Sequence, residues 1–163
     1  MKMCRNCQKN SLTNIFFMID GVKITKRKQI VDDRGKIMHM LRNDDQIFKG
    51  FGEIYFSCIF PKKVKAWHLH KKMTLNYVVV TGKIKLVLYD DRKESKSFGK
   101  IQEIILSNDN YNLITVPPLI WNGFKSLDNS TSIIANCSDI PHEHDEILRR
   151  DYNDQNIPYT WKD

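Results

Sequence analysis

The stretch KAWHLHKKMTLNYVVVTGKIKLVLY, residues 65–89, carries the strand pattern that decides the fold. Residues 75–80 and 83–89 are two runs of strand-forming side chains, and the second alternates apolar and polar positions. Thr81-Gly82 between them is a turn signal, so the two runs are predicted to form a β-hairpin. Similar runs recur about every eight to twelve residues on both sides, which favours an antiparallel β-sandwich or barrel.

The first part of this stretch contains two histidines at alternate positions. If residues 65–70 form a strand, His68 and His70 lie on one face with Ala66, and Trp67 and Leu69 lie on the other. Two imidazoles beside several lysines form either half of a metal site or a general base near a place where negative charge can develop. We therefore expect the chemistry of the protein here.

Length and charge narrow the class of partner. The chain has 163 residues, enough for one well-packed domain, and a formal net charge of +7. Its lysines and arginines are spread along the sequence, which favours a phosphorylated small molecule over nucleic acid. No run approaches the roughly 20 apolar residues of a membrane span, and the N-terminus lacks the apolar segment of a signal peptide. We expect a cytoplasmic protein with neither nucleic acid nor membrane as its partner.

The two ends of the chain differ from the rest. Residues 1–17 are predicted to form an N-terminal arm, which can be flexible, ahead of a single domain at 18–163. The Cys4 and Cys7 pair within this arm lacks further zinc ligands in sequence. Residues 141–150 suggest a short helix, in which the spacing of His142 and His144 is only a weak metal signal. The aromatic residues near the C-terminus are expected to pack, and we predict that the tail folds over the barrel mouth.

The strand pattern, the H-x-H and the later Pro117-Pro118 with Asn122-Gly123-Phe124 resemble the cupins, which implies an all-β double-stranded β-helix, or jelly roll. Cupins that bind metal add a glutamate and a third histidine. Those positions fall here on Leu75 and Asn122, and a leucine cannot bind a cation. The resemblance therefore implies no metal and no other cofactor.

Within the cupins, residues 18–161 are similar to the dTDP-4-dehydrorhamnose 3,5-epimerase family. The matching segments are Asp33-Arg34-Gly35, Lys65-Ala66-Trp67-His68, residues 117–124 and Asn153-Asp154. The resemblance implies an isomerase that removes a proton next to the ketone of a nucleotide-linked 4-keto-6-deoxy sugar. It also implies a homodimer.

The family pattern gives each matching residue an expected role. His68 becomes the base, with Asp154 accepting the other ring N–H, and His70 is the alternative base. Predicted substrate contacts are Arg34 at the nucleotide diphosphate, Lys65 and Lys72 near the developing charge, and Tyr77, Trp121 and Asn122 at the sugar, although aromatic residues inside a β-barrel, such as Tyr77 and Trp121, more often belong to the core. Two family residues are missing, because the acid tyrosine falls on Ala135 and the enolate-stabilising lysine on Leu75.

Two other functions remain open from sequence. His68-Leu69-His70-Lys71 also resembles the H-A-H-K of the nucleotide-sugar 3,4-ketoisomerases, which move the ketone and do not invert a carbon. The missing tyrosine and lysine would also suit a cupin that binds a nucleotide sugar without catalysis.

Overall fold

The computed structural model describes residues 18–162, which form β-strands connected by turns and one short 3₁₀ turn at His144–Glu146. The predicted all-β class is confirmed. The strands are Lys23–Lys26 (β1), Gln29–Asp32 (β2), Gly35–Met38 (β3), Glu53–Ile59 (β4), Val64–His70 (β5), Leu75–Thr81 (β6), Lys83–Asp90 (β7), Ile101–Ser107 (β8), Asn112–Val116 (β9), Ile120–Ser126 (β10), Ser132–Ser138 (β11) and Ile147–Arg149 (β12).

Two five-stranded antiparallel sheets face each other, and β2 and β3 form a separate hairpin. The first sheet has the order β1-β9-β6-β11-β4, and the second has the order β12-β5-β10-β7-β8. Apolar side chains from the inner faces of both sheets form the main core, among them Leu75, Leu86, Ile114 and Ile134. Alternate residues of β6, β7, β8 and β9 point into this core, as the period of two in the sequence predicted.

The predicted hairpin at residues 75–89 is wrong. β6 pairs with β9 and β11 in the first sheet, whereas β7 pairs with β8 and β10 in the second. Gly82 connects the two sheets with a φ of +83°, and a Cβ there would lie 2.3 Å from the hydroxyl oxygen of Ser132. Both strands bury one face in the shared core. The same alternation of apolar and polar residues is expected whether two such strands pair with each other or lie in facing sheets.

The C-terminal tail covers the outer face of the second sheet. Ile157, Tyr159 and Trp161 join a cluster around the fully buried Trp67, with the Trp161 ring centroid 5.0 Å from that of Trp67. The predicted fold over the barrel mouth is therefore corrected: these aromatic residues pack, but on the outside of the sheet. No helix within residues 18–162 is long and apolar enough to cross a membrane.

Candidate active site

A cavity of about 450 Å³ opens between the edge strands β4 and β12. Its walls come from both sheets and from the segment that precedes β12. The lining residues are Glu53, Tyr55, Ser57, Lys65, His68, His70, Tyr77, Phe124, His142, Ile147 and Arg149. The two histidines of the sequence pattern thus share one enclosed space with cationic, acidic and phenolic side chains.

A register shift in β5 brings Lys65 to the same wall as the histidines. Asn122 of β10 pairs with His68, but Phe124 pairs with Lys65, so β5 carries one extra residue between the two pairs. Ala66 consequently leaves the histidine face, where it was predicted, and lies beside Trp67 and Trp161. A bulge of this kind is common next to active sites, because it redirects side chains.

His70 is paired with a buried carboxylate. Its Nδ1 lies 2.5 Å from Oε2 of Glu146, and both side chains are almost fully buried. The backbone amides of Lys72 and Met73 donate to Oε1 of Glu146 at 2.8 and 2.9 Å. Every oxygen of this carboxylate therefore has a donor, which fixes the imidazole plane.

The electrostatics of this pair favour a neutral imidazole beside a carboxylate anion. Burial would raise the pKa of Glu146, but the amides of Lys72 and Met73 and the His70 ring together lower it. Burial lowers the pKa of His70 and outweighs the opposite effect of Glu146. Because the anion can only accept, Nδ1 carries the proton, and the lone pair of Nε2 is available as a base.

His68 lies on the same wall in a different environment. Burial, Arg149, His70 and Lys65 together lower the pKa of His68 to about 4, so its ring is neutral at neutral pH. Arg149 of β12 is directly opposite His68 in the strand register, and its exposed guanidinium makes no ion pair with a described residue. A neutral imidazole and a cationic side chain are therefore adjacent at the cavity wall.

Asn122 supports this wall from beneath. Its Nδ2 donates to the backbone oxygen of His68 at 3.0 Å, and its Oδ1 accepts from the Tyr77 hydroxyl at 3.2 Å. Asn122 is buried and does not line the cavity, whereas Tyr77 does. The predicted role of Asn122 in substrate contact thus becomes a role in holding His68 and Tyr77 in place.

The opposite wall is β4, with Glu53, Tyr55 and Ser57 at alternate positions. Oε1 of Glu53 is buried and has no hydrogen-bond partner within residues 18–162. Nδ2 of Asn136 donates to the Tyr55 hydroxyl at 3.0 Å. Nζ of Lys65 donates to the Ser57 hydroxyl at 2.8 Å and so connects the two walls.

Besides Asn122, four predicted site residues lie outside the cavity lining: Trp121, Lys72, Arg34 and Asp154. Trp121 is buried in the outer-face cluster, with the Arg150 guanidinium 4.6 Å from its ring centroid. The exposed Lys72 contributes its backbone amide to Glu146, not its ammonium group to the cavity. Arg34 lies at the tip of the β2–β3 hairpin, where it pairs with Asp32.

The predicted pair of Asp154 with His68 does not form. Asp154 accepts from the backbone and side-chain nitrogens of Asn156, both at 2.8 Å, and its other oxygen lies 3.9 Å from the Arg150 guanidinium. Those contacts hold it within the tail. The carboxylate beside the histidine strand is Glu146, eight residues earlier, and its partner is His70.

Sequence reasoning missed Glu146, Tyr55 and Arg149. Glu146 lies within the charged segment 141–150, where nothing in the sequence distinguishes it from its neighbour Asp145, which is exposed. One available signal was the short apolar pattern of Ile147-Leu148 after it, which marks a strand able to add to a sheet edge. Once β12 pairs with β5, Glu146 and Arg149 must lie beside the histidines.

Known proteins share this arrangement of sheets and much of this sequence. The crystal structure of a dTDP sugar isomerase from Desulfovibrio desulfuricans has a TM-score of 0.86 and 40% identity, covering 88% of this chain and 92% of that chain. The spore coat polysaccharide biosynthesis protein SpsL of Bacillus subtilis is 32% identical over 147 residues, 88% of this chain and 97% of that protein. The probable low-salt glycan biosynthesis epimerase Agl13 of Haloferax volcanii is 29% identical over 143 residues, 86% of this chain and 88% of that protein.

The two facing antiparallel sheets, with a cavity that His70 lines, form a cupin fold, which the 40% identical dTDP sugar isomerase shares. Residues 17–163 match the sequence profile of the dTDP-4-dehydrorhamnose 3,5-epimerase family. The chain belongs to that family, as the sequence predicted, and it is a nucleotide-sugar epimerase.

Proposed function

We propose that this epimerase inverts a carbon next to the ketone of a nucleotide-linked 4-keto-6-deoxy sugar, with His70 as the base. The observation that carries the proposal is the buried His70–Glu146 pair at the cavity wall. A carboxylate that fixes the tautomer and orientation of a histidine is the usual support for a general base. This proposal moves the base from His68, which the family pattern favoured, to His70.

Proton removal next to a ketone needs more than a base. An imidazole with an ordinary pKa of about 6.5 is too weak for an unassisted carbon acid, so the enolate oxygen must be stabilised. The neutral His68 ring can donate a hydrogen bond to that oxygen, and Lys65 adds a positive charge on the same wall. Hydrogen-bond donors held in place before the reaction are most effective at such a developing charge.

The remaining polar groups suit the rest of the ligand. Arg149 offers a guanidinium to a diphosphate, because its planar fork matches phosphate oxygens. The unpartnered Oε1 of Glu53 can accept a hydrogen bond from a sugar hydroxyl. The cavity of about 450 Å³ lies within the range of small-molecule sites.

The test is incubation with a dTDP-linked 4-keto-6-deoxy sugar in deuterated water, followed by NMR. Epimerisation predicts solvent deuterium at a carbon next to the ketone, inverted configuration there, and a ketone still at C4. A ketone at C3 would contradict the proposal and identify a 3,4-ketoisomerase. That function is an alternative because the histidine paired with Glu146 is His70, the second histidine of the H-x-H. Tight dTDP binding without any exchange would identify a binding protein.

We also propose that the enzyme is a homodimer. β4 is an edge strand with exposed Ile54 and Phe56, and the β2–β3 hairpin exposes Val31 and Ile37. Unpaired strand edges and exposed apolar side chains favour association with a second chain. Arg34, at the tip of that hairpin, would then contact the diphosphate in the cavity of the other protomer.

A cytoplasmic location completes the proposal, because a charged nucleotide sugar does not cross a membrane unaided. Cell fractionation with antibody detection tests it, and recovery of the protein in the extracellular fraction would contradict it.

A further inference from the structure

Inversion of a carbon needs a proton donor on the face opposite the base. The two positions where the family places its acid tyrosine and its lysine do not supply one here. Ala135 packs in a cluster on the outer face of the first sheet, and Leu75 is part of the main core. The donor must therefore come from another position on the cavity wall.

We propose that the phenol of Tyr55 is this proton donor. The inference rests on the proposed function and extends it. Tyr55 belongs to β4 in the first sheet, while His68 and His70 belong to β5 in the second, and all three line one cavity. A sugar bound between the sheets would meet the imidazole of His70 on one side and the phenol of Tyr55 on the other.

The hydrogen bonds of the two cavity tyrosines distinguish Tyr55 from Tyr77. The Tyr77 hydroxyl donates its proton to Oδ1 of Asn122, so that proton is already committed. The Tyr55 oxygen instead accepts from Nδ2 of Asn136, and its own proton is donated to no acceptor within residues 18–162. Only the Tyr55 proton is therefore available to a ligand.

The environment also keeps Tyr55 protonated. Burial raises the pKa of its hydroxyl above the ordinary value, and the hydrogen bond from Asn136 opposes this only in part. Glu53 on the same strand and Glu146, the buried partner of His70, raise this pKa further, while Arg149 lowers it. The phenol is thus a proton donor at neutral pH, next to a site where an enolate forms.

The step balances without any further reactant. The C–H bond next to the ketone breaks, its proton goes to Nε2 of His70, and its electron pair forms the enolate. The enolate carbon then takes the proton of Tyr55 on its opposite face, which breaks the O–H bond and leaves a phenolate. Transfer of the proton from His70 to the phenolate through solvent restores both groups.

The Tyr55→Phe variant tests the assignment, because loss of the acid should separate exchange from inversion. In deuterated water it should still incorporate deuterium within about tenfold of the wild-type rate, since His70 can return a deuteron to the same face. Formation of inverted product should fall by about 10²-fold or more. The Tyr152→Phe variant removes a hydroxyl from an exposed tail tyrosine and should match wild type in both readouts.

Other results would overturn the assignment. If Tyr55→Phe forms inverted product at the wild-type rate, the phenol is not the proton donor. The proposed function still holds in that case, because the wild-type enzyme epimerises the sugar. Equal loss of exchange and inversion also overturns it, provided that dTDP affinity and far-UV circular dichroism match wild type. A wild-type enzyme without exchange or inversion removes the proposed function and this inference together.

A second variant covers the case in which Tyr55→Phe does not fold. Fluorinated tyrosine incorporated at position 55 keeps the ring and hydroxyl but has a more acidic phenol. The alkaline limb of the inversion rate should move to lower pH by as much as fluorination lowers the phenol pKa, because the groups that act on this phenol, Asn136, Glu53, Arg149 and Glu146, are the same in both proteins. An unmoved limb would contradict the proposal.

Discussion

At the scale of single residues, the site depends on which histidine has a carboxylate partner. The sequence correctly drew attention to residues 65–72, because two same-face imidazoles rarely occur in a strand by chance. It could not identify the partner, since Glu146 reaches His70 only after a strand pairing between residues 76 positions apart. The family pattern suggested Asp154 instead, and local contacts with Asn156 keep that carboxylate in the tail.

Replacement of the paired carboxylate should reduce catalysis sharply. In Glu146→Gln, the amide cannot stabilise an imidazolium and favours the wrong tautomer of His70, so kcat should fall about 10²- to 10⁴-fold. Steady-state kinetics measure this effect, with dTDP affinity as the check on the fold. Asp154→Asn is the matched control and should retain wild-type kcat. A larger loss of kcat in Asp154→Asn than in Glu146→Gln would instead support the pair of Asp154 with His68 that the family pattern suggested.

The pH dependence follows from the environment of His70. Because burial lowers the pKa of His70, the base stays deprotonated below the ordinary histidine value of about 6.5. The acid limb of kcat/KM should therefore lie below that value, with activity lost only as the pH falls further and the ring takes up a proton. A limb well above 6.5 would contradict a buried neutral base.

At the scale of elements, the close contact between β5 and β10 places the histidines. Gly123 lies opposite the bulge in β5, and a Cβ there would lie 2.4 Å from Cβ and 3.0 Å from Cα of Ala66. The sequence contained the Asn-Gly-Phe motif but gave no reason for its glycine. The reason is the approach of two backbones, which no local pattern encodes.

Gly123→Ala should therefore push β5 away from β10. We expect a loss of about 1–3 kcal/mol in the free energy of unfolding, as for overpacked sites, together with reduced kcat. The double variant with Ala66→Gly removes the closest of these contacts and should recover part of both losses. Denaturant titration and kinetics on the three variants measure the coupling, and additive losses in the double variant would contradict a direct clash.

At the scale of the whole molecule, the all-β class was predictable because a period of two recurs along the chain. The assignment of strands to sheets was not, as Gly82 shows, because β6 and β7 bury side chains in the same core from opposite sheets. In the proposed homodimer, the separate β2–β3 hairpin would pack against the second protomer. Its exposed Val31 and Ile37, and the absence of Arg34 from the cavity lining, favour a second protomer as its partner.

Subunit mixing tests this arrangement. If Arg34 acts in the neighbouring site, a hybrid dimer contains one Arg34→Ala chain and one Glu146→Gln chain. The cavity of the Glu146→Gln chain then lacks both residues, whereas the cavity of the Arg34→Ala chain has its own Glu146 and receives Arg34 from its partner. Random mixing makes about half of the dimers hybrid, so about a quarter of wild-type activity should return. Light scattering establishes the dimer beforehand, and a mixture no more active than its parents would contradict a shared site.

The most direct test of the central claim compares deuterium incorporation by His70→Gln and His68→Gln at saturating substrate. If His70 is the base, His70→Gln should lose exchange by about 10²-fold or more. His68→Gln should keep measurable exchange, since it loses only a donor to the enolate oxygen. The reverse order, with His70→Gln exchanging at the wild-type rate and His68→Gln inactive, would contradict the assignment of the base to the His70–Glu146 pair.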